Sequence, residues 1–220
     1  MRYLSSLVLA LATLAFAAPA AAQGFISPVA MISPQQPSYV ITASGDRHEG
    51  KIANYLIANG IRSLVLKTAD GEKLKFKAAD LKEVGNKPGA LAKLSALSNE
   101  MDSKWDMFSA DWKGAIDREW VYYRQALMPN GKAYSLLQQI NPGFDTRIRV
   151  FNIDPEESDE YLVSRDGAPT VKVTKGNYKK LFPTLFAGCE AVINSDAAKK
   201  PKLKQFAAAV FVFDHECSEK

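Results

Sequence analysis

The chain reads SLVLKTADGEKLKFK from Ser63 to Lys77, and this stretch predicts a β-hairpin. If Asp70-Gly71 formed a two-residue loop, Leu66 would face Lys75, and each side of the ribbon would mix leucine with lysine. Because a ribbon of that kind has no face to bury, a loop of another length is expected.

A three-residue loop, Ala69-Asp70-Gly71, removes the conflict. It brings the apolar side chains to one side in two facing pairs, Leu64 with Phe76 and Leu66 with Leu74. The other side then carries Val65, Lys67, Lys73 and Lys75. Gly71 takes the left-handed bulge position in such a loop. The sequence therefore predicts a hairpin with one buried face and one wetted face.

Short extended stretches surround the hairpin. Tyr39 to Thr42 and Arg47 to Tyr55 are separated by a turn signal, and Gly50 indicates a bulge or a close approach. Ala78 to Val84 closes the unit. Four or five short strands in so few residues predict a small antiparallel β-barrel at residues 38–86.

Residues 87–220 are predicted to form an α+β domain. Pro129-Asn130-Gly131 marks a hairpin, and three further stretches are strands by composition: 147–153, 161–164 and 170–174. After Gly176 the chain is expected to be helical, with a kink or restart at Pro183 and a last helix from Pro201 to Phe213. The fold class is therefore α+β, a small antiparallel barrel followed by an antiparallel sheet with C-terminal helices.

One predicted helix carries most of the tryptophan. Its apolar stripe comprises Leu91, Leu94, Leu97, Met101, Trp105, Phe108 and Trp112. If exposed, Trp105, Trp112 and Trp120 could stack on sugar rings or dock a partner, and they are the candidate ligand-binding residues. If buried, they belong to the core, which helical spacing favours.

The N-terminus has the pattern of a secretory signal. Arg2 supplies a positive charge, Leu4 to Ala18 is an apolar run, and Ala20-Ala21-Ala22 supplies a cleavage site after Ala22. The run is shorter than a spanning helix needs, so no transmembrane segment is expected after cleavage. Residues 23–37 form a Pro-rich arm, read either as a tether or as a segment lying along a groove of the folded part.

The charge balance is mild. A net charge of +4 does not demand a polyanionic partner, and export makes nucleic acid an unexpected one. A basic face is nevertheless predicted from Lys67, Lys73, Lys75, Lys77 and Lys82. It could meet anionic envelope polymers or lipid headgroups, or it could only keep the strand soluble and blunt a sheet edge.

No catalytic or metal-binding constellation is recognised. The chain has two histidines and no H-E-x-x-H or G-x-S-x-G motif. The acidic run Asp154, Glu156, Glu157, Asp159 and Glu160 lacks the spacing and the glycine of a calcium loop. No catalytic residue, metal ligand or cofactor is therefore assigned.

Cys189 and Cys217 are predicted to form a disulfide. Each lies on an apolar stripe at helical spacing, one with Leu181 and Leu185, the other with Val210 and Phe213. An antiparallel helical pair would bring the stripes together, provided that the last segment bends after Phe213. In an exported protein two cysteines are expected to pair rather than to stay as thiols.

Two groups of residues carry a resemblance. Gly45-Asp46, Gly50-Lys51-Ile52, Asp70-Gly71, Phe76 and Asp80-Leu81 resemble the opening of a family of uncharacterised secreted proteins from Gram-negative bacteria. Tyr178-Lys179-Lys180-Leu181, running to Cys189, is similar to that family's C-terminal helix. The resemblance implies export and an α+β fold, and it implies no activity.

These features favour a periplasmic or secreted, non-enzymatic binding or envelope-associated protein with an unknown envelope or extracellular partner. The alternative is an enzyme of unfamiliar type that acts on envelope polysaccharide or peptide through scattered carboxylates.

Overall fold

The computed structural model describes residues 24–100, 112–153 and 160–218 of the 220-residue chain. The predicted signal segment, Trp105 and most of the acidic run lie outside these residues. Within them the strands are β1 Pro37–Thr42, β2 Arg47–Ile57, β3 Ile61–Lys67, β4 Lys73–Lys77, β5 Leu81–Asn86, β6 Val121–Leu127, β7 Tyr134–Gln138, β8 Ile148–Asn152, β9 Glu160–Arg165 and β10 Val171–Thr174. The helices are α1 Ala90–Glu100, α2 Trp112–Ile116, α3 Tyr178–Leu185, α4 Glu190–Ile193, α5 Asp196–Lys199 and α6 Phe206–Cys217.

Six strands close an antiparallel barrel in the order β1, β2, β3, β7, β6, β5, and β4 adds to β3 outside the ring. The α+β class with a small barrel is thus confirmed. The barrel extends beyond residues 38–86, however, because β6 and β7 lie between β5 and β3 and close the ring. Strand β6 pairs with β5, and β7 reaches β3 at the pair Ile61 and Leu136.

The predicted hairpin register is confirmed. Leu64 lies opposite Phe76, and Leu66 lies opposite Leu74. The Thr68 amide donates to the Glu72 carbonyl across the three-residue loop, at 3.0 Å. Gly71 has φ +93°, the left-handed conformation that the bulge requires. Leu64 and Leu66 are buried in the barrel core, so the apolar face points inward.

The Pro-rich arm packs against the barrel. Val29 and Ile32 are buried in the barrel core. The side-chain amide of Asn86, itself buried, accepts from the Ser33 amide at 2.8 Å and donates to the Ser33 carbonyl at 3.0 Å. Of the two readings of this arm, the contacts support the segment lying along the folded part.

Helix α1 turns a different face inward than the sequence predicted. Leu91 and Leu94 are 77% and 59% exposed, whereas Ala92 and Ala96 are buried. The predicted leucine stripe is therefore wrong at these positions. Small side chains let the helix approach the arm closely, and the Ala30 amide donates to Ser95 Oγ.

The second sheet has the order β10-β9-β8 and packs against the C-terminal helices. The predicted strands over 147–174 are confirmed in this sheet. A smaller cluster joins it to the barrel, where Phe151 and Leu162 contact Ala126 and Leu137. The two regions thus share apolar contacts.

The C-terminal helices differ from prediction in their bounds. Helix α3 runs through Pro183 and ends at Leu185, so the donor that proline lacks is missing only from the last turn. Helix α6 begins at Phe206, after a 3₁₀ turn at Leu203–Gln205, rather than at Pro201.

Cys189 and Cys217 form the predicted disulfide, with Cα atoms 5.4 Å apart. The expected bend after Phe213 is wrong, because α6 continues to Cys217. Helices α4 and α5 instead turn the chain back, so that Cys189, at the start of α4, lies beside the end of α6.

Candidate functional site

Three neighbouring strands carry lysines on one outer face. The register places Lys51 of β2 opposite Lys67 of β3, and Lys67 opposite Lys73 of β4. Lys75 and Lys77 continue the same side of β4, because side chains two residues apart share a face. All of these lysines are exposed. We call this set the lysine face: Lys51, Lys67, Lys73, Lys75 and Lys77.

The inner side of the same strands explains why the lysines point outward. Its apolar rows are Ile52 with Leu66 and Leu74, and Tyr55 with Leu64 and Phe76. Because Ile52, Leu64 and Leu66 belong to the barrel core, the alternate positions must face solvent. The orientation of the lysine face is thus fixed by the burial of its opposite side.

The ion pairs formed among the described residues do not include the lysine face. The nearby carboxylate of Glu49 pairs instead with Arg47, at 2.9 Å. Asp70 accepts a hydrogen bond from Thr68, which lowers the pKa of that carboxyl below its usual value. Like charges placed directly opposite each other destabilise a sheet, so a structural role does not account for the row.

Protection of a sheet edge explains only part of the lysine face. Strand β4 pairs with β3 alone, and lysines on such an edge discourage pairing with another chain. Lys51 and Lys67 lie on strands that have partners on both sides. These two lysines therefore call for another explanation.

An open cleft of about 550 Å³ lies beside Lys51 and Lys67. The arm forms one wall through Pro34, Gln35 and Pro37, and the start of the β3–β4 loop forms another. Gly50 lies where β2 passes from β1 to β3, and a Cβ there would be 2.2 Å from the Lys67 carbonyl oxygen. Because Gly50 has no side chain, β2 can approach the backbone of β3 closely at this point. Lys51 and Lys67 lie opposite each other beside it.

The sequence-predicted aromatic candidates are placed differently. Trp105 and the side chain of Trp112 lie outside the described residues. Trp120 is half-buried and packs edge-on against Tyr39, with ring centroids 5.1 Å apart. The Lys87 ammonium lies 5.3 Å from the Trp120 ring centroid. Trp120 is therefore part of a packed outer surface of the barrel.

The same surface holds a network of buried polar groups. The Tyr39 hydroxyl donates to Glu83, and Glu83 forms an ion pair with Arg124 at 2.9 Å. Burial, reinforced by the bond to Glu83, raises the pKa of Tyr39 far above its usual value. The Tyr39 ring covers Gly85 of the neighbouring strand, where a Cβ would lie 2.1 Å from a ring carbon. The network fixes β1 against β5 and β6.

Histidine, cysteine and acidic side chains are the groups that could support metal binding or acid–base chemistry. No group of three His, Cys, Asp or Glu side chains with metal-binding geometry occurs within residues 24–100, 112–153 and 160–218. Glu160, at the end of the acidic run, pairs with Lys172. His48 packs on Phe76, and His215 packs on Phe211. Both cysteines are in the disulfide.

Lys51 and Lys82 show what sequence reasoning missed. The predicted basic face omits Lys51, although counting outward from the β2–β3 turn places it opposite Lys67, since the two register shifts in this pair cancel. The predicted basic face includes Lys82, which is wrong, because Lys82 lies on β5, away from the three strands of the lysine face.

Comparison with protein-family models, with curated proteins and with solved structures found no significant match. The resemblance to secreted proteins of Gram-negative bacteria therefore stays a prediction. Among the described helices, none combines the length and the apolar character that crossing a bilayer requires.

Proposed function

We propose that the chain is an exported, non-enzymatic binding protein of the cell envelope, and that its lysine face binds an anionic component of that envelope. The observation that carries the proposal is the pair Lys51 and Lys67. They face each other on inner strands of the sheet without an ion-pair partner in the described residues, and they line an open cleft.

Physical chemistry supports an anionic ligand. Neighbouring strands lie about 5 Å apart, so ammonium groups that face each other across them repel one another until a counter-charge lies between them. A ligand with repeating phosphates, sulfates or carboxylates relieves that repulsion at several positions at once. Each lysine offers three donors on a flexible stem, which suits a ligand without a single fixed geometry.

Two further features support export. The first residues carry a basic start, an apolar run and small residues before Gln23. The disulfide fits an oxidising compartment.

The test is binding of dextran sulfate, with uncharged dextran as the control polymer. The variant Lys51→Glu/Lys67→Glu should weaken binding at least about tenfold, because each reversal replaces an attraction by a repulsion. Binding should also weaken at high salt, because the charges are exposed and screened.

The matched control is Lys179→Glu/Lys180→Glu, which changes the net charge equally at two exposed lysines of α3. It should change binding by less than about threefold. Equal losses in the two variants would show that only net charge matters, and no binding by the wild type would overturn the proposal.

A further inference from the structure

Two exposed apolar side chains end strand β2: Leu56, on the same side of the sheet as the lysine face, and Ile57, which pairs with the core residue Ile61 at the end of the barrel. Leu56 and Ile57, at the end of β2, are 60% and 59% exposed. Leu56 lies opposite Ser63, which lies opposite Lys77, so Leu56 shares the outer side of the sheet with the lysines. Met31 of the arm, 55% exposed, lines the same small hollow as Ile57. We call Met31, Leu56 and Ile57 the apolar tip.

The turn that follows the apolar tip is held in place. Arg62 donates to the carbonyl oxygens of Ala58 and Tyr134, each at 2.9 Å. Gly60 has φ +99°, and a Cβ there would lie 2.4 Å from Ser135 Oγ. Because the turn is fastened to β7 in this way, the exposed side chains of Leu56 and Ile57 are presented rather than folded back into the core.

A soluble polyanion would explain the lysines but not the apolar tip. A surface that combines uncompensated ammonium groups with adjoining exposed apolar side chains is complementary to an anionic bilayer. There the lysines meet headgroup phosphates, and the apolar side chains enter the boundary between headgroups and acyl chains.

We propose that the occupant of the lysine face is the surface of an anionic lipid bilayer, with Leu56 and Ile57 as the inserting residues. This inference rests on the proposed function, because it names the envelope component that the lysine face binds. Insertion is shallow, since the apolar tip belongs to the end of one hairpin and to the arm beside it.

The experiment measures co-sedimentation of the protein with vesicles of equal parts phosphatidylglycerol and phosphatidylcholine, and with vesicles of phosphatidylcholine alone. Wild type should bind the anionic vesicles and not the neutral ones. Leu56→Ser/Ile57→Ser should weaken vesicle binding at least about tenfold, which corresponds to the loss of a few buried methylene groups. The same variant should bind dextran sulfate as wild type does, because its charges are intact.

A matched control uses two other exposed leucines. Leu91→Ser/Leu94→Ser alters side chains of similar exposure on α1, which is not one of the elements that carry the lysine face. It should bind vesicles as wild type does. Unchanged thermal unfolding of both variants verifies that neither substitution disturbs the fold.

The outcomes separate the two proposals. Binding to dextran sulfate without binding to anionic vesicles, or vesicle binding that is unaffected by Leu56→Ser/Ile57→Ser, overturns the lipid assignment and leaves the proposed function standing. Equal binding to neutral vesicles also overturns it, because the lysines would then play no part. Absence of dextran sulfate binding by the wild type overturns the proposed function itself, and the lipid assignment with it.

Discussion

Arg165 donates from Nη1 to the carbonyl oxygen of Thr184 at 2.8 Å, and so joins strand β9 to the end of helix α3. The same guanidinium donates to the carbonyls of Leu185 at 3.2 Å and Ala187 at 2.8 Å. The last carbonyls of a helix have no partner within the helix, so one side chain here supplies what a C-terminal cap would supply.

Arg165→Ala should lower the free energy of unfolding by about 2 to 3 kcal/mol, because several charge-assisted hydrogen bonds to the end of α3 are lost together. Arg165→Lys should recover only part of the lost free energy of unfolding, since an ammonium cannot reproduce the planar, forked geometry of the guanidinium. Urea denaturation measures both, with Lys180→Ala at an exposed position of α3 as the control. A loss no larger than in the control would show that Arg165 does not cap the helix.

Gly85→Ala should destabilise the barrel by about 2 kcal/mol or more, because the new methyl group would overlap the ring of Tyr39. Tyr39 cannot move aside without losing its hydrogen bond to Glu83. Thermal unfolding checks this, and Gly176→Ala, whose nearest neighbour would be 3.8 Å away, should have little effect. In a Tyr39→Ala background the cost of Gly85→Ala should shrink; an unchanged cost would place the strain elsewhere.

Cys189→Ala/Cys217→Ala should cost roughly 3 to 4 kcal/mol in the chain-entropy account. The cause is the loop that the disulfide closes, over a sequence separation of 28. The purified protein should contain no free thiol when it is labelled under denaturing, non-reducing conditions. Two labelled thiols per chain, or a dimer that dissociates on reduction, would contradict the bond within the chain.

Asp166 should make the stability of the second sheet depend on pH. Its hydrogen bonds with Arg147, at 2.7 and 2.9 Å, hold the pKa of the carboxyl below its usual value. Because the folded pKa is lowered, the contribution is complete above the unfolded value of about 3.9 and is lost as the pH falls through the folded pKa.

Asp166→Asn should flatten the dependence of unfolding on pH below about pH 4, where the charged group would otherwise be titrated. Asparagine suits this position, because residue 166 has φ +52°, a conformation that asparagine tolerates. Guanidinium denaturation at several pH values measures the slope. A wild-type slope in the variant would exclude Asp166 as its source.

Features decided by neighbouring residues could be predicted from the sequence. The facing pairs Leu64 with Phe76 and Leu66 with Leu74 follow from a short loop and an alternating pattern, and both pairs are observed. The disulfide followed from the apolar stripes that carry its cysteines and from the expectation of export, although the path of the chain between them did not.

Features decided by distant residues could not be predicted in the same way. The closure of the barrel depends on Ile61 meeting Leu136, and no local pattern indicates that pairing. On α1, the closeness of the arm favours Ala92 and Ala96 over leucine at the interface, which reverses the face that hydrophobicity alone selects. The candidate site lies between these cases, because Lys67 and Lys73 could be predicted from one hairpin whereas Lys51 requires the neighbouring strand.

The strand order of the barrel also determines when its parts can become stable during synthesis. A ribosome releases β1 to β5 before β6 and β7 exist, so the growing chain exposes an unpaired side of β5 along its length. Such an edge is a template for pairing with another copy of the chain. The ring becomes complete only once Gln138 has emerged, which makes barrel formation a late event that follows synthesis of almost two thirds of the polypeptide.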